Sequence, residues 1–277
     1  MTTTRKTQIG LLSTAAVLFV LLFIAPKTPS AKATESKKAE GAQLTSQNLK
    51  TFVEMASKSL EIKDKTLYDD LLQKATSSSV DSLYIPVITF WSERKRPDFV
   101  AYFTEQQALK SQKAEDFLKA GDRYFFSVRF IKDENIIPVL YKSAIRCYET
   151  AIEKNPNYTD AKIQLAACLV EGVEGDPMKG ITMLKEIEKT DSNNVKLQMN
   201  FAFFSIRSQQ WDKAIKRFEK VLELDPLFIE AYLHLADAYE QQGDTEKTIL
   251  MLEQYLAKSD DATAKAEVKK YIEQLKK

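Results

Sequence analysis

Along the C-terminal half of the chain, apolar residues fall three and four positions apart, and one short pattern returns three times. The stretches SAIRCYETAIEKNPNYTDA (143–161), KGITMLKEIEKTDSNNVKL (179–197) and KAIKRFEKVLELDPLFIEA (213–231) share a layout. Each sets a small residue, a large apolar residue four later and an apolar residue three beyond that, then closes on a helix-breaking turn. These are Ala144, Tyr148, Ala151 and Pro156 in the first, Gly180, Leu184, Ile187 and Ser192 in the second, and Ala214, Phe218, Val221 and Pro226 in the third. Residues so spaced share one helix face, so each stretch predicts an amphipathic helix with a single buried stripe. A second kind of helix alternates with them. AYLHLADAYEQQGD (231–244) carries Tyr232, Leu235, Ala236 and Tyr239 before a Gly243-Asp244 turn, and AKIQLAACLVEGVEGD (161–176) repeats the layout with Leu165, Ala166 and Leu169. Small residues let paired helices approach closely and large ones fill the gaps. One hairpin cannot bury its own stripe, so neighbouring hairpins must stack.

This alternation resembles the tetratricopeptide repeat, a helix-turn-helix unit of about 34 residues. The resemblance divides 113–262 into four units, 114–158, 159–194, 195–228 and 229–262. The last two fit without gaps. The second carries two extra residues at VEGVEGDP, and the first about eleven at IKDENIIPVL, beyond the length the resemblance implies. In the first unit, FLKAGDRYFF places Ala120, Gly121 and Tyr124 at the family's small, small and aromatic positions. The third has Ser205 where a late aromatic normally stands, and Trp211 is expected to fill that space. DATAKAEVKKYIEQLKK reads as a capping helix at 263–277, with Val268, Tyr271, Ile272 and Leu275 inward.

Residues 44–112 predict two helical hairpins of less regular pattern, with Leu49, Phe52, Val53, Met55, Leu67, Leu71 and Leu72 on their inner sides. Pro97 marks a helix start. In DSLYIPVITFW the β-branched residues and Pro86 leave a strand open as an alternative.

Ahead of these, Ile9 to Ala25 is uncharged across 17 residues and follows Arg5 and Lys6. As a helix it would span about 25 Å, close to a hydrocarbon core of about 30 Å. It predicts one transmembrane signal anchor after a short tail at 1–8. Residues 26–43 are small, polar and charged and predict a flexible linker. Cleavage after Ala31-Lys32-Ala33 is the rival reading. The basic pair beside the apolar run favours export of the C-terminal part. The four lysines that follow, Lys27, Lys32, Lys37 and Lys38, favour the opposite orientation. The exported, periplasmic arrangement is the expectation adopted.

Composition narrows the chemistry. Forty basic and 39 acidic residues give a net charge of +1, without the basic excess of a nucleic-acid binder. Cys147 and Cys168 form no CxxC; both fall at inward helical positions, as two buried thiols or, in an oxidising compartment, a disulfide. His234 is the only histidine, so no triad or His-based metal site can use a second one. GVEGDPMKG lacks phosphate-loop spacing. No enzyme activity and no cofactor or metal is expected.

The resemblance implies an all-α solenoid that binds another protein or peptide along its concave face. The family's groove positions correspond here to Lys119, Asp122, Phe125, Phe126, Gln164, Lys196, Asn200, Phe203, Arg207, His234 and Asp237. Some members clamp a C-terminal carboxylate with a Lys/Asn/Asn/Lys/Arg set. Leu118, Asp122 and Gln164 occupy the first three positions, only Lys196 matches, and Asn200 replaces the final basic residue, so that clamp is absent. Phe125, Phe126 and Phe203 imply an apolar groove, or else burial under the flanking segments. The functional expectation is a membrane-tethered scaffold of a cell-envelope assembly. A cytosolic organelle-surface receptor and a secreted periplasmic binding module are the alternatives.

Overall fold

The computed structural model describes residues 46–172 and 175–276, so the apolar run at 9–25 and the linker at 26–43 lie outside it. Among the described residues every regular element is helical, and no helix is long and apolar enough to cross a membrane. The chain forms two compact units that divide after Ile187, within the last turn of one helix.

The first unit holds α1 (Ser46–Lys58), α2 (Ile62–Ser77), a 3₁₀ turn (Asp81–Tyr84), α3 (Ile85–Glu93), α4 (Pro97–Ser111), α5 (Ala114–Ser127), α6 (Ile137–Lys154), α7 (Thr159–Glu171) and α8 (Pro177–Thr190). Its N-terminal part is organised by aromatic rings. Trp91 meets Phe99 edge-on at 4.8 Å and Phe90 at 5.2 Å, and Tyr68 and Phe103 join the cluster. That packing explains why DSLYIPVITFW is helical rather than a strand. Pro86 stands in the first turn of α3, where its missing N–H costs nothing. Val87, Phe90 and Trp91 then fall on one buried face. Burial overrides the β preference of the isolated residues.

The second apolar cluster joins α5 to α6 and α7. Tyr124, Tyr148, Leu140, Cys147 and Cys168 are buried in it, and both cysteines are free thiols whose ionisation burial disfavours. The small residues read from the sequence act as spacers. A Cβ on Gly121 would stand 2.5 Å from Cε1 of Tyr148, and one on Gly180 2.5 Å from the carbonyl oxygen of Ala166. One buried charge ties three helices together. Glu105 on α4 accepts hydrogen bonds from the Tyr124 hydroxyl at 2.6 Å and from Nη2 of Arg146 at 2.6 Å. Satisfied on both sides, this carboxylate is tolerated where a lone one would not be.

The second unit begins with the end of α8 and holds α9 (Val195–Arg207), α10 (Trp211–Leu224), α11 (Glu230–Gln241), α12 (Thr245–Lys258) and α13 (Ala262–Leu275). Helices α8, α10 and α12 start at 177, 211 and 245 and end at 190, 224 and 258, a period of 34 at both ends. Phe218 is the centre of the first cluster here, with Ala202, Ala214, Leu235 and Ala238 around it. Ala236, Leu252, Tyr255, Val268 and Ile272 bury α13 against α11 and α12. Side-chain caps fix three helix starts: Asn194 accepts from the Leu197 amide, Asp244 from that of Lys247 and Asp261 from that of Ala264.

Candidate protein-binding faces

The groove positions divide between the units. In the first, Asp122 on α5 and Gln164 on α7 bind each other. Asp122 Oδ1 accepts from the Tyr148 hydroxyl at 2.9 Å and from Gln164 Nε2 at 3.1 Å. Their polar atoms hold α5, α6 and α7 in register, so this pair is committed largely to the fold. Phe125 is half-buried and meets Tyr141 at 6.0 Å. Phe126 is open to solvent, 46% exposed, with its ring 4.8 Å from that of Phe130. Lys119 is exposed and pairs with Asp116 at 3.1 Å.

In the second unit Lys196, Asn200, Phe203 and Arg207 follow one another at four-, three- and four-residue steps along α9, a single face of the helix. Lys196 and Arg207 are exposed at its two ends. Asn200 donates to the Lys196 carbonyl oxygen at 2.8 Å. Phe203 is half-buried and meets Phe218 edge-on at 5.5 Å. It therefore shows an edge to solvent and gives its body to the core.

His234 is turned inward. Only 9% exposed, it stacks on Phe218 at 5.0 Å and receives the Phe203 ring edge-on at 5.0 Å. Burial holds its pKa down to about 4, so it is neutral at pH 7. The expectation of a groove-facing histidine is thus corrected: the two phenylalanines on either side, remote in sequence, make its pocket. Asp237, one turn on, is partly buried, and burial followed by the neighbouring Glu240 raises its pKa to about 6. Its Oδ2 lacks a hydrogen-bond partner.

The sequence pattern missed Arg217. Its guanidinium binds Glu188, donates to Gln198 Oε1 at 2.8 Å and lies 4.6 Å from the centre of the Phe201 ring. An acid 29 residues away in sequence gave no local signal. Among the described residues no group of three or more His, Cys, Asp or Glu could hold a metal ion.

A family model described as TPR repeat matches residues 206–243, and one described as tetratricopeptide repeat matches 230–262. Residues 206–262 are tetratricopeptide repeats. The likeness of fold extends further. A thermophilic TPR protein of Thermus thermophilus superposes with a TM-score of 0.52 at 15% identity, over 70% of this chain and 98% of that one. A tetratricopeptide repeat protein of Parabacteroides merdae does so with a TM-score of 0.50 at 13% identity, over 83% and 89%. At such identities the likeness is one of fold alone. No curated protein matches the chain in sequence. TPR folds generally serve protein–protein interaction, and this one has the all-α, stacked-hairpin character of its relatives.

Proposed function

We propose that the protein is a TPR adaptor that holds another protein or peptide, with the exposed face of α9 as a principal contact, and that residues 9–25 tether it to a membrane with the TPR region on the exported side. The observation that carries the binding reading is the α9 row. Lys196, Asn200, Phe203 and Arg207 stand on successive turns of α9, and the two cationic ends are exposed. An aromatic edge between charged side chains suits a contact surface, since aromatic and Arg side chains contribute most to interface hot spots. The tether rests on the uncharged run Ile9–Ala25 behind Arg5 and Lys6. The charge count after the run supports a second reading, a membrane-anchored receptor with cytosolic repeats.

The test must spare Phe203, whose loss would also open the core beside Phe218. Lys196→Glu combined with Arg207→Glu should weaken capture of the native partner from crosslinked membranes at least about tenfold, on the scale of a hot spot. Melting should stay near wild type. Lys216→Glu combined with Lys220→Glu on α10 should weaken capture much less. Loss with the α10 pair and not with the α9 pair would reject the α9 face.

A further inference from the structure

Beyond the α9 face, the first unit carries a cavity of about 130 Å³ lined by Ser92, Lys95, Arg96, Pro97, Val100, Arg123 and Phe126. We propose that this cavity is a second binding site, for a carboxylate of an acidic peptide whose neighbouring side chain is apolar.

Three cations line it and no acid does. Arg96 is held in place: its Nε and Nη2 donate to the two oxygens of buried Asp98 at 3.0 and 2.7 Å, and its guanidinium lies 3.5 Å from the centre of the Phe99 ring. Asp98 is thereby occupied. Lys95 and Arg123 are exposed, and neither pairs with a carboxylate among the described residues. Lys65 and Lys74, by contrast, each pair with an acid of their own helix, Asp69 and Asp70. Two uncompensated cations on one concavity therefore leave a local positive potential that an anion can meet.

Part of the lining is apolar. Pro97, Val100 and Phe126 form it, and the Phe130 ring, 51% exposed, lies 4.8 Å from that of Phe126. A carboxylate at Lys95 and Arg123 with an aromatic or aliphatic group on Phe126 uses both halves. The concavity favours a side-chain-sized group over a flat lipid surface. The turn that presents Lys95 is tightly fixed. Lys95 adopts φ +53, and the Arg96 amide closes α3 by donating to the Trp91 carbonyl oxygen at 3.1 Å. The backbone that presents Lys95 is thus fixed before any ligand arrives, which limits the ordering cost of binding.

The proposal is tested on the full chain in nanodiscs with a fluorescein-labelled peptide of alternating Glu and Phe, read by fluorescence anisotropy. Lys95→Gln combined with Arg123→Gln should weaken binding at least tenfold, and Phe126→Ser should also weaken it. The same peptide with Gln in place of Glu should bind at least tenfold more weakly to the wild-type chain, a readout that requires no protein variant. Lys196→Glu combined with Arg207→Glu should leave this affinity unchanged, which separates the cavity from the α9 face. Equal binding of the Glu and Gln peptides, or of the wild type and the Lys95/Arg123 variant, overturns the proposal. So does weaker peptide binding in phosphatidylserine than in phosphatidylcholine discs that vanishes in the Lys95/Arg123 variant, because lipid headgroups would then be the cavity's ligand.

Discussion

Gly121 makes room on α5 for the Tyr148 ring of α6. The Tyr148 ring that its Cβ would strike cannot swing aside freely, because its hydroxyl is bound to Asp122 at 2.9 Å. Gly121→Ala should therefore lower stability by about 1–3 kcal/mol, although alanine is the better helix former. A lower denaturant midpoint at unchanged slope would show it. His234 and Asp237 act with opposite signs on pH dependence. His234 has a folded pKa of about 4 against an ordinary 6.5, so the unfolded chain gains its proton first as pH falls. Stability contributed by keeping it neutral is lost between those two values. Asp237 is raised from 3.8 to about 6, so its contribution is present at low pH and is lost as pH rises to about 6. Each shift is worth at most about 3 kcal/mol, and the two oppose each other between about pH 4 and 6. Asp237→Asn should thus raise stability at pH 7 and steepen the loss on acidification. His234→Phe should leave a chain that gains stability from pH 7 to about pH 5. Denaturant midpoints across this range check both signs.

Gln209 and Gly243 end α9 and α11 at positions 34 residues apart. Both are left-handed, at φ +56 and +80, and the next amide closes each helix. Gln210 donates to the Ser205 carbonyl oxygen at 2.8 Å and Asp244 to that of Tyr239 at 2.9 Å. Gln209→Gly should stabilise the protein by about 1 kcal/mol, and Gly243→Ala should destabilise it by a similar amount. No atom lies within 4 Å of a Cβ at 243, so the second effect would be purely conformational. Thermal melting of the pair should move in opposite directions. The second turn was legible in the sequence because a glycine acts locally: Gly243-Asp244 announces the end of its helix unaided, whereas Gln209 carries no such signal. The helix at 85–93 was not, because its stability comes from rings brought by α2 and α4. The candidate faces were legible only as helix positions. Periodicity places His234 one turn from Asp237, but only the folded chain shows Phe218 and Phe203 closing over the imidazole. Likewise it could not show that Asp122 and Gln164 would bind each other, or that Lys95 and Arg123 would meet at one cavity.

For the molecule as a whole, the proposed tether at residues 9–25 would determine where any partner must be. Arg5 and Lys6 beside the apolar run favour export of the helical units, against the four lysines that follow. A reporter active only outside the cytoplasm, fused after Lys277, should be active. Activity of a cytoplasm-only reporter instead would favour the receptor orientation. The net charge of +1 offers little long-range steering toward a polyanion, so recognition must come from local surfaces. The central claim is that the α9 row is such a surface. Its most direct test is a photo-crosslinking amino acid placed at position 200 on α9 in the full chain, compared in intact cells with one at position 216 on α10. A discrete adduct with one protein from position 200 and none from position 216 is the predicted result. The same adduct from position 216 alone, or equally from both, would contradict the account.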